Sequence, residues 1–180
     1  NHLILLAQNQ QGLNNIFKLV SESYKSDNFY RYPRIDYDLL AHYNEGVLAS
    51  SACLGGVYAG DYWDNREAGT DAVLEAMRVT TRRMKAIFGD RWYGEIQWNN
   101  IPDQHKLNQH IIQVCRELDV ELISTADSHY PNPDAWKDRE LYKRIGWLGK
   151  GGLPGYMSAD LPDGVEEIGY ELYPKNGEQM

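Results

Sequence analysis

Val120-Glu121-Leu122-Ile123-Ser124-Thr125 runs without a break into Ala126-Asp127-Ser128-His129-Tyr130. The first six residues read as a buried strand, a short apolar run bounded by polar residues. A carboxylate and an imidazole follow it, two residues apart. On an extended chain, residues i and i+2 point to the same side, so the strand delivers Asp127 and His129 to one place. Ahead of it, Leu107, Ile111, Val114 and Leu118 recur at helical spacing after Asp103. The unit is therefore helix, buried strand and polar loop. In α/β proteins the ends of strands are where sites are built.

Working outward, the same unit recurs. His2-Leu3-Ile4-Leu5-Leu6-Ala7 reads as a strand, and Leu13, Ile16, Phe17 and Val20 form the apolar stripe of a helix behind it. Residues 28–33 are a polar and aromatic loop. Asp36 caps a short helix through Leu39 and Leu40. A second strand, Gly46-Val47-Leu48-Ala49-Ser50-Ser51-Ala52, is closed by Cys53-Leu54-Gly55-Gly56. Residues 61–65 read as a turn, and residues 67–88 as a long helix stopped by Gly89-Asp90. Tyr93 to Gln97 is a third strand. Asn132-Pro133-Asp134 starts a helix through Ile145. The stretch from Gly146 to Met180 is punctuated by Gly and Pro and reads as loop, with a short strand at 170–173.

Alternating strands and helices argue for an α/β fold with a parallel sheet and outer helices. Parallel strands are predicted near residues 2–7, 46–52, 93–97 and 120–126. Four such units are half a closed barrel, and an open doubly wound sheet gives the same local pattern. Periodicity alone leaves both open. There is no internal repeat and no low-complexity tract.

Composition narrows the function. No apolar run approaches the ~18 residues of a membrane span. The net charge is −8, which excludes a broad basic face for nucleic acid; any DNA contact must be local, metal-mediated or supplied from elsewhere. Thirteen Tyr and five Trp read mainly as packing residues, with base stacking as the minor use. Two cysteines, Cys53 and Cys115, make no disulfide framework and fit a reducing cytoplasm. Because the chain opens on Asn1, it is expected to be a piece of a longer protein.

Each chemical candidate has a plainer reading beside it. Asp127-Ser128-His129 is a ligand pair or a turn cap followed by a polar loop residue. Cys53 is a thiolate ligand suited to zinc or a small buried hydrophobe. His2 is a ligand or merely the polar end of a strand. His42, His105 and His110 are expected on the surface, and Cys115 in the core. Glu95 and Gln97 alternate on the third strand, where an inward carboxylate supports a site or the sheet. Arg82, Arg83 and Lys85 form one basic cluster, and Lys137, Arg139, Lys143 and Arg144 another. Both read as solvated helix faces, and the second could also face DNA. No G-x-G-x-x-G, Walker A or G-x-S-x-G pattern is present.

Taken together, the segments resemble the PHP domain of bacterial DNA polymerase III alpha subunits, the C-family replicative polymerases. The resemblance rests on five stretches in order over about 135 residues. They are His2 to Asn9 with Gly12-Leu13 and Lys18-Leu19-Val20-Ser21; Pro33-Arg34-Ile35-Asp36; Gly46 to Gly56; Ile101-Pro102-Asp103-Gln104 with Asn108; and Ser124 to Tyr130 with Asn132-Pro133. It implies a partial (β/α) barrel, the second half of the domain over residues 1–145. Residues 146–180 are then an exit segment towards a polymerase palm.

The resemblance also implies a site. His2, Cys53, Asp127 and His129 match metal-ligand positions, and Asp127 and His129 carry the hydrolytic chemistry. The metal is Zn²⁺ or another divalent transition metal such as Mn²⁺. The implied activity is metal-dependent 3′→5′ exonuclease proofreading in the intact domain, with polymerisation left to carboxylates outside this chain. The implied partners are DNA with a single-stranded 3′ end, the rest of the polymerase, and proofreading or clamp subunits. Two other uses stay open: a non-catalytic docking domain, and a stand-alone phosphoesterase of the histidinol-phosphatase type. The family's first motif, a His pair with a following Asp, and its next His and Glu ligands are not in these residues and are expected upstream of Asn1. The start of a strand is also a puzzling place for His2, because the other ligands stand at strand ends.

Overall fold

The computed structural model of the chain describes residues 1–148 and 171–179. They divide into two compact units. The first holds residues 1–96 and 106–123; the second holds 97–105 and the residues from 124 onward.

In the first unit the chain forms β1 (Ile4–Ala7), α1 (Gln10–Ser23), a hairpin of β2 (Phe29–Tyr30) and β3 (Tyr32–Pro33), α2 (Tyr37–His42), β4 (Val47–Ser50), α3 (Val57–Asn65) and α4 (Thr70–Phe88). Then come β5 (Trp92–Gln97), α5 (Pro102–Glu117) and β6 (Glu121–Thr125), whose ends belong to the second unit. The sheet order is β1-β4-β5-β6. β4 and β5 are parallel, with Ala49 opposite Trp92 and Ser50 opposite Tyr93. β5 and β6 are neighbours joined through α5, the kind of connection a parallel pair needs.

β1 corrects the expectation of parallel strands throughout: it runs antiparallel to β4, with Leu5 opposite Ala49 and Ala7 opposite Val47. The cause is the number of traverses. One helix between two strands returns the chain to its starting end and gives a parallel pair. Here α1 carries the chain back and the segment through α2 carries it forward again, so β4 begins where β1 finishes. The Gln8 amide donates to the Gly46 carbonyl at that junction, 2.8 Å away. α1 starts there too, with the Asn9 side chain accepting from the Gly12 amide at 2.9 Å. Gly12 packs so closely that any Cβ on it would overlap the Gly46 carbonyl.

The core lies where α3, α4 and α5 cover the sheet. Met77, Val114, Val47, Phe88 and Trp92 are buried. Tyr58 is buried among them, its hydroxyl 2.8 Å from Thr81 Oγ1 and accepting from Trp92 Nε1 at 3.1 Å. The stretch read as a turn at 61–65 is the second half of α3. Its apolar face is built from Tyr58, Ala59 and Tyr62, while Asp61, Asp64 and Asn65 mimic turn composition. The long helix starts at Thr70, after a 3₁₀ turn at Arg66–Ala68 and Gly69 at φ 100°.

The second unit has a small apolar cluster of Tyr130, Trp136 and Leu172. Asn132 caps a 3₁₀ turn, accepting from the Asp134 and Ala135 amides at 3.1 Å, and α6 (Trp136–Leu148) follows. α6 runs past the expected end at Ile145. Most of the predicted exit loop, residues 149–170, lies outside the described residues, as does Tyr170 of the predicted short strand. Glu171 to Tyr173 form no strand.

Candidate metal centre

The reversal of β1 explains His2. Because β1 and β4 are antiparallel, the start of β1 stands beside the end of β4. The His2 amide donates to the Gly55 carbonyl at 2.7 Å, and the turn after β4 therefore holds His2 by its backbone. His2 Nδ1 is 3.7 Å from Cys53 Sγ, and the Gly55 amide points at the same sulfur from 3.5 Å.

The Cys53 turn is tightly made. Ala52, buried and at φ 61°, is in the left-handed region that a residue with a Cβ avoids. That twist ends β4 and turns the chain towards His2. The Gly56 amide closes the turn on the Cys53 carbonyl at 2.7 Å, and a Cβ on Gly56 would overlap the Ser51 carbonyl. Beneath it, Ser50 donates to the buried Glu95 carboxylate at 2.5 Å, and Ser51 Oγ accepts from the Glu95 amide at 2.9 Å. Glu95 thus latches β5 to the strand end that carries Cys53.

In the second unit, Asp127 is at φ 47°, a conformation that Asp tolerates better than most residues. Its Oδ1 is 3.5 Å from His129 Nε2, and both side chains reach solvent. Two devices hold the loop. Before it, Gln97 donates to Thr125 Oγ1 at 3.3 Å and the Trp98 amide to the Thr125 carbonyl at 3.3 Å. After it, the Leu172 carbonyl accepts from the His129 and Tyr130 amides at 2.8 and 3.2 Å, and the Leu172 amide donates to the Tyr130 hydroxyl at 2.9 Å. Sequence reasoning did not find this strap, which lies over 40 residues downstream in a stretch without periodicity.

The structure therefore places the four predicted residues as two pairs, His2 with Cys53 and Asp127 with His129. Among the described residues no three His, Cys, Asp or Glu side chains gather into one group. The pairs suit a metal on their own geometry. A tetrahedral ion with bonds of ~2.3 Å to sulfur and ~2.0 Å to nitrogen or oxygen separates its donors by roughly 3.3–3.5 Å. The observed 3.7 and 3.5 Å are close to that.

The other candidates fall away. Cys115 is buried, and burial pushes its thiol up to about 11. His42 and His105 are exposed. His110 departs from the expected surface position: it is half-buried against Tyr62, and burial lowers its pKa. In the downstream basic cluster Arg139 and Lys143 contact Glu140 and Lys137 is exposed over the Trp136 ring, while Arg144 is buried rather than on the expected solvated face. In the upstream cluster, Arg82 meets Glu75, Arg83 lies over the Tyr37 ring, and Lys85 donates to the carbonyls of Leu118 and Asp119.

Comparison with known proteins adds a family. Residues 1–99 match the model of the PHP domain. The DNA polymerase III subunit alpha of Aquifex aeolicus is 44% identical over 74% of this chain, covering 11% of that protein. That of Borreliella burgdorferi is 38% identical over 81% of this chain and 12% of the relative. That of Campylobacter jejuni is 33% identical over 99% of this chain and 14% of the relative. The chain thus spans between a tenth and a seventh of the length of these relatives.

Proposed function

This chain belongs to the PHP domain family, and from that membership we propose that it is the PHP portion of a replicative DNA polymerase alpha subunit, working in the bacterial cytoplasm. We propose further that the intact domain hydrolyses phosphodiesters at single-stranded 3′ ends. The observation that carries this is the pair of two-donor sets, each at a strand end and each at metal-bridging separation.

His2 with Cys53, and Asp127 with His129, would each hold Zn²⁺ or a similar ion such as Mn²⁺. When bound, it would polarise the phosphodiester and lower the pKa of a water. The chain's own residues do the rest. Asp127 Oδ1 and His129 Nε2, 3.5 Å apart, would be committed to the ion as a ligand pair, so the proton of the attacking water leaves to solvent rather than through them. The Ala52 turn and the Leu172 strap fix the donors before substrate arrives, so little reorganisation is needed. Two pairs are too few donors for several ions, so these residues alone should be inactive as a nuclease; the full-length protein should supply the remaining ligands. DNA, the rest of the polymerase chain, and proofreading or clamp subunits are the partners this reading names.

The test is a gel of end-labelled single-stranded DNA with the metal-loaded full-length protein. It should shorten 3′ ends, and a chelator should stop it. Asp127→Ala or His129→Ala should abolish degradation and leave polymerisation intact. A metal-loaded protein without nuclease would instead favour a docking role, with the domain binding the rest of the polymerase or a proofreading subunit.

A further inference from the structure

The hairpin between α1 and α2 has no part in the fold's core or in the donor pairs. Its register sets Tyr30 directly opposite Tyr32 and Phe29 opposite Pro33, with Arg31 at the tip at φ 61°. Directly opposed residues share a face of the ribbon, so the two tyrosines stand side by side. Both are mostly exposed, at 64% and 72%. The guanidinium groups of Arg31 and Arg34 lie 5.7 and 5.6 Å from the centre of the Tyr30 ring. Neither forms an ion pair among the described residues. On the other face Phe29 stacks on Tyr24 at 5.9 Å, bracing the ribbon against the end of α1.

Two adjoining phenol rings beside two unneutralised cations suit bases stacked on rings and phosphates met by arginine. The hairpin also stands at the right end of the sheet. Ile35 and Asp36, directly after it, line one cleft with Asn1 and Val57, which flank His2 and the Gly55-Gly56 turn. In a chain of net charge −8, this is the kind of local contact that nucleic acid requires. We propose that the Phe29–Pro33 hairpin is a stacking platform for single-stranded DNA. Tyr30 and Tyr32 carry consecutive bases, Arg31 and Arg34 meet the backbone, and the strand is led towards the His2–Cys53 end. This deepens the phosphodiesterase reading and rests on it for the identity of the ligand.

The experiment uses the full-length protein in EDTA, with a 12-nucleotide oligo(dT) carrying 5-iodouracil as the probe. Photocrosslinks should map to Tyr30 or Tyr32 by mass spectrometry. The double variant Tyr30→Ala/Tyr32→Ala should bind oligo(dT) about tenfold more weakly or worse, while Tyr30→Phe/Tyr32→Phe, which keeps both rings, should stay within about twofold. Arg31→Ala/Arg34→Ala should flatten the dependence of log affinity on log salt by roughly 1.4, two phosphates' worth for a single strand. Crosslinks that avoid the hairpin, or unchanged affinity in the double alanine variant, would overturn the proposal. So would an equal loss in the phenylalanine variant. Because chelator is present throughout, the platform can fail while the nuclease gel succeeds, and the reverse.

Discussion

Ala52 is the residue where the chain gives up local stability next to the proposed site. A left-handed alanine costs ~1–2 kcal/mol, and here it is buried directly before Cys53. Ala52→Gly should relieve that cost, less the ~0.4–1 kcal/mol of extra unfolded-state freedom. The expected outcome in urea unfolding is a change between neutral and about 1.6 kcal/mol more stable. Ala52→Val should lose about 2 kcal/mol or more, since a β-branched residue at positive φ is a genuine outlier. Asp127 shows the same conformation with a more tolerant side chain. Asp127→Asn should unfold at the same midpoint, because Asn accepts that φ readily, yet should lose metal affinity by more than the ~10–100-fold of an outer-shell change.

The two thiols should also separate. Cys115 is held neutral by burial, up to about 11, so iodoacetamide near pH 8 should label Cys53 and spare it, and added Zn²⁺ should protect Cys53. A raised folded pKa stabilises fully below the unfolded thiol's ~8.5 and is lost as pH rises through about 11. Burial pushes the neighbouring Tyr58 hydroxyl up as well. The fold should therefore weaken in alkali, and Cys115→Ser should not remove the whole effect. Labelling of both cysteines at equal rates would contradict this account. Asp127, His129 and Cys53 drew notice in the sequence because each follows a strand, and the family resemblance alone singled out His2 as a candidate beside them. Ala52 drew no notice, since a left-handed alanine leaves no compositional trace.

Among the elements, β1 departs furthest from sequence expectation, and its reversal is what makes His2 intelligible. Hydrophobic period identifies a strand but carries no direction; direction depends on how many times the chain crosses the sheet before the next strand. Here α2, six residues long, made the difference between one traverse and two. α3 was missed for a different reason: tyrosine supplies its buried face, and two Asp and an Asn give it the composition of a turn. The contact that seats the start of α1 against the start of β4 is Gly12 against Gly46. Gly12→Ala must push backbone aside, and overpacking of this kind costs about 1–3 kcal/mol or more. Gly12→Ala should therefore lower the unfolding midpoint and, by loosening β1, weaken metal binding at His2. A variant with wild-type stability would show that the close approach is not needed. Within the second unit, Tyr130→Phe removes the acceptor for the Leu172 amide but keeps the ring in its apolar cluster. It should lower metal affinity without comparable loss of global stability, because the remaining bonds to the Leu172 carbonyl persist.

At the scale of the molecule, the fold class and the family were legible in the alternation of elements and in the order of the motifs. The grouping of the donors was not, because period and spacing say nothing about which strand ends meet. The chain brings His2 to Cys53 and Asp127 to His129, each pair within its own unit, and the central claim is that both pairs serve metal. Cobalt tests this most directly, because a thiolate bound to Co²⁺ gives a charge-transfer band in the near ultraviolet that no oxygen or nitrogen donor produces. The full-length protein loaded with Co²⁺ should show that band. Cys53→Ser should abolish it while retaining some cobalt, and Asp127→Ala and His129→Ala should each reduce the cobalt retained after dialysis. A full-length protein that retains no cobalt, or four single variants at His2, Cys53, Asp127 and His129 that retain it as the wild type does, would contradict the account.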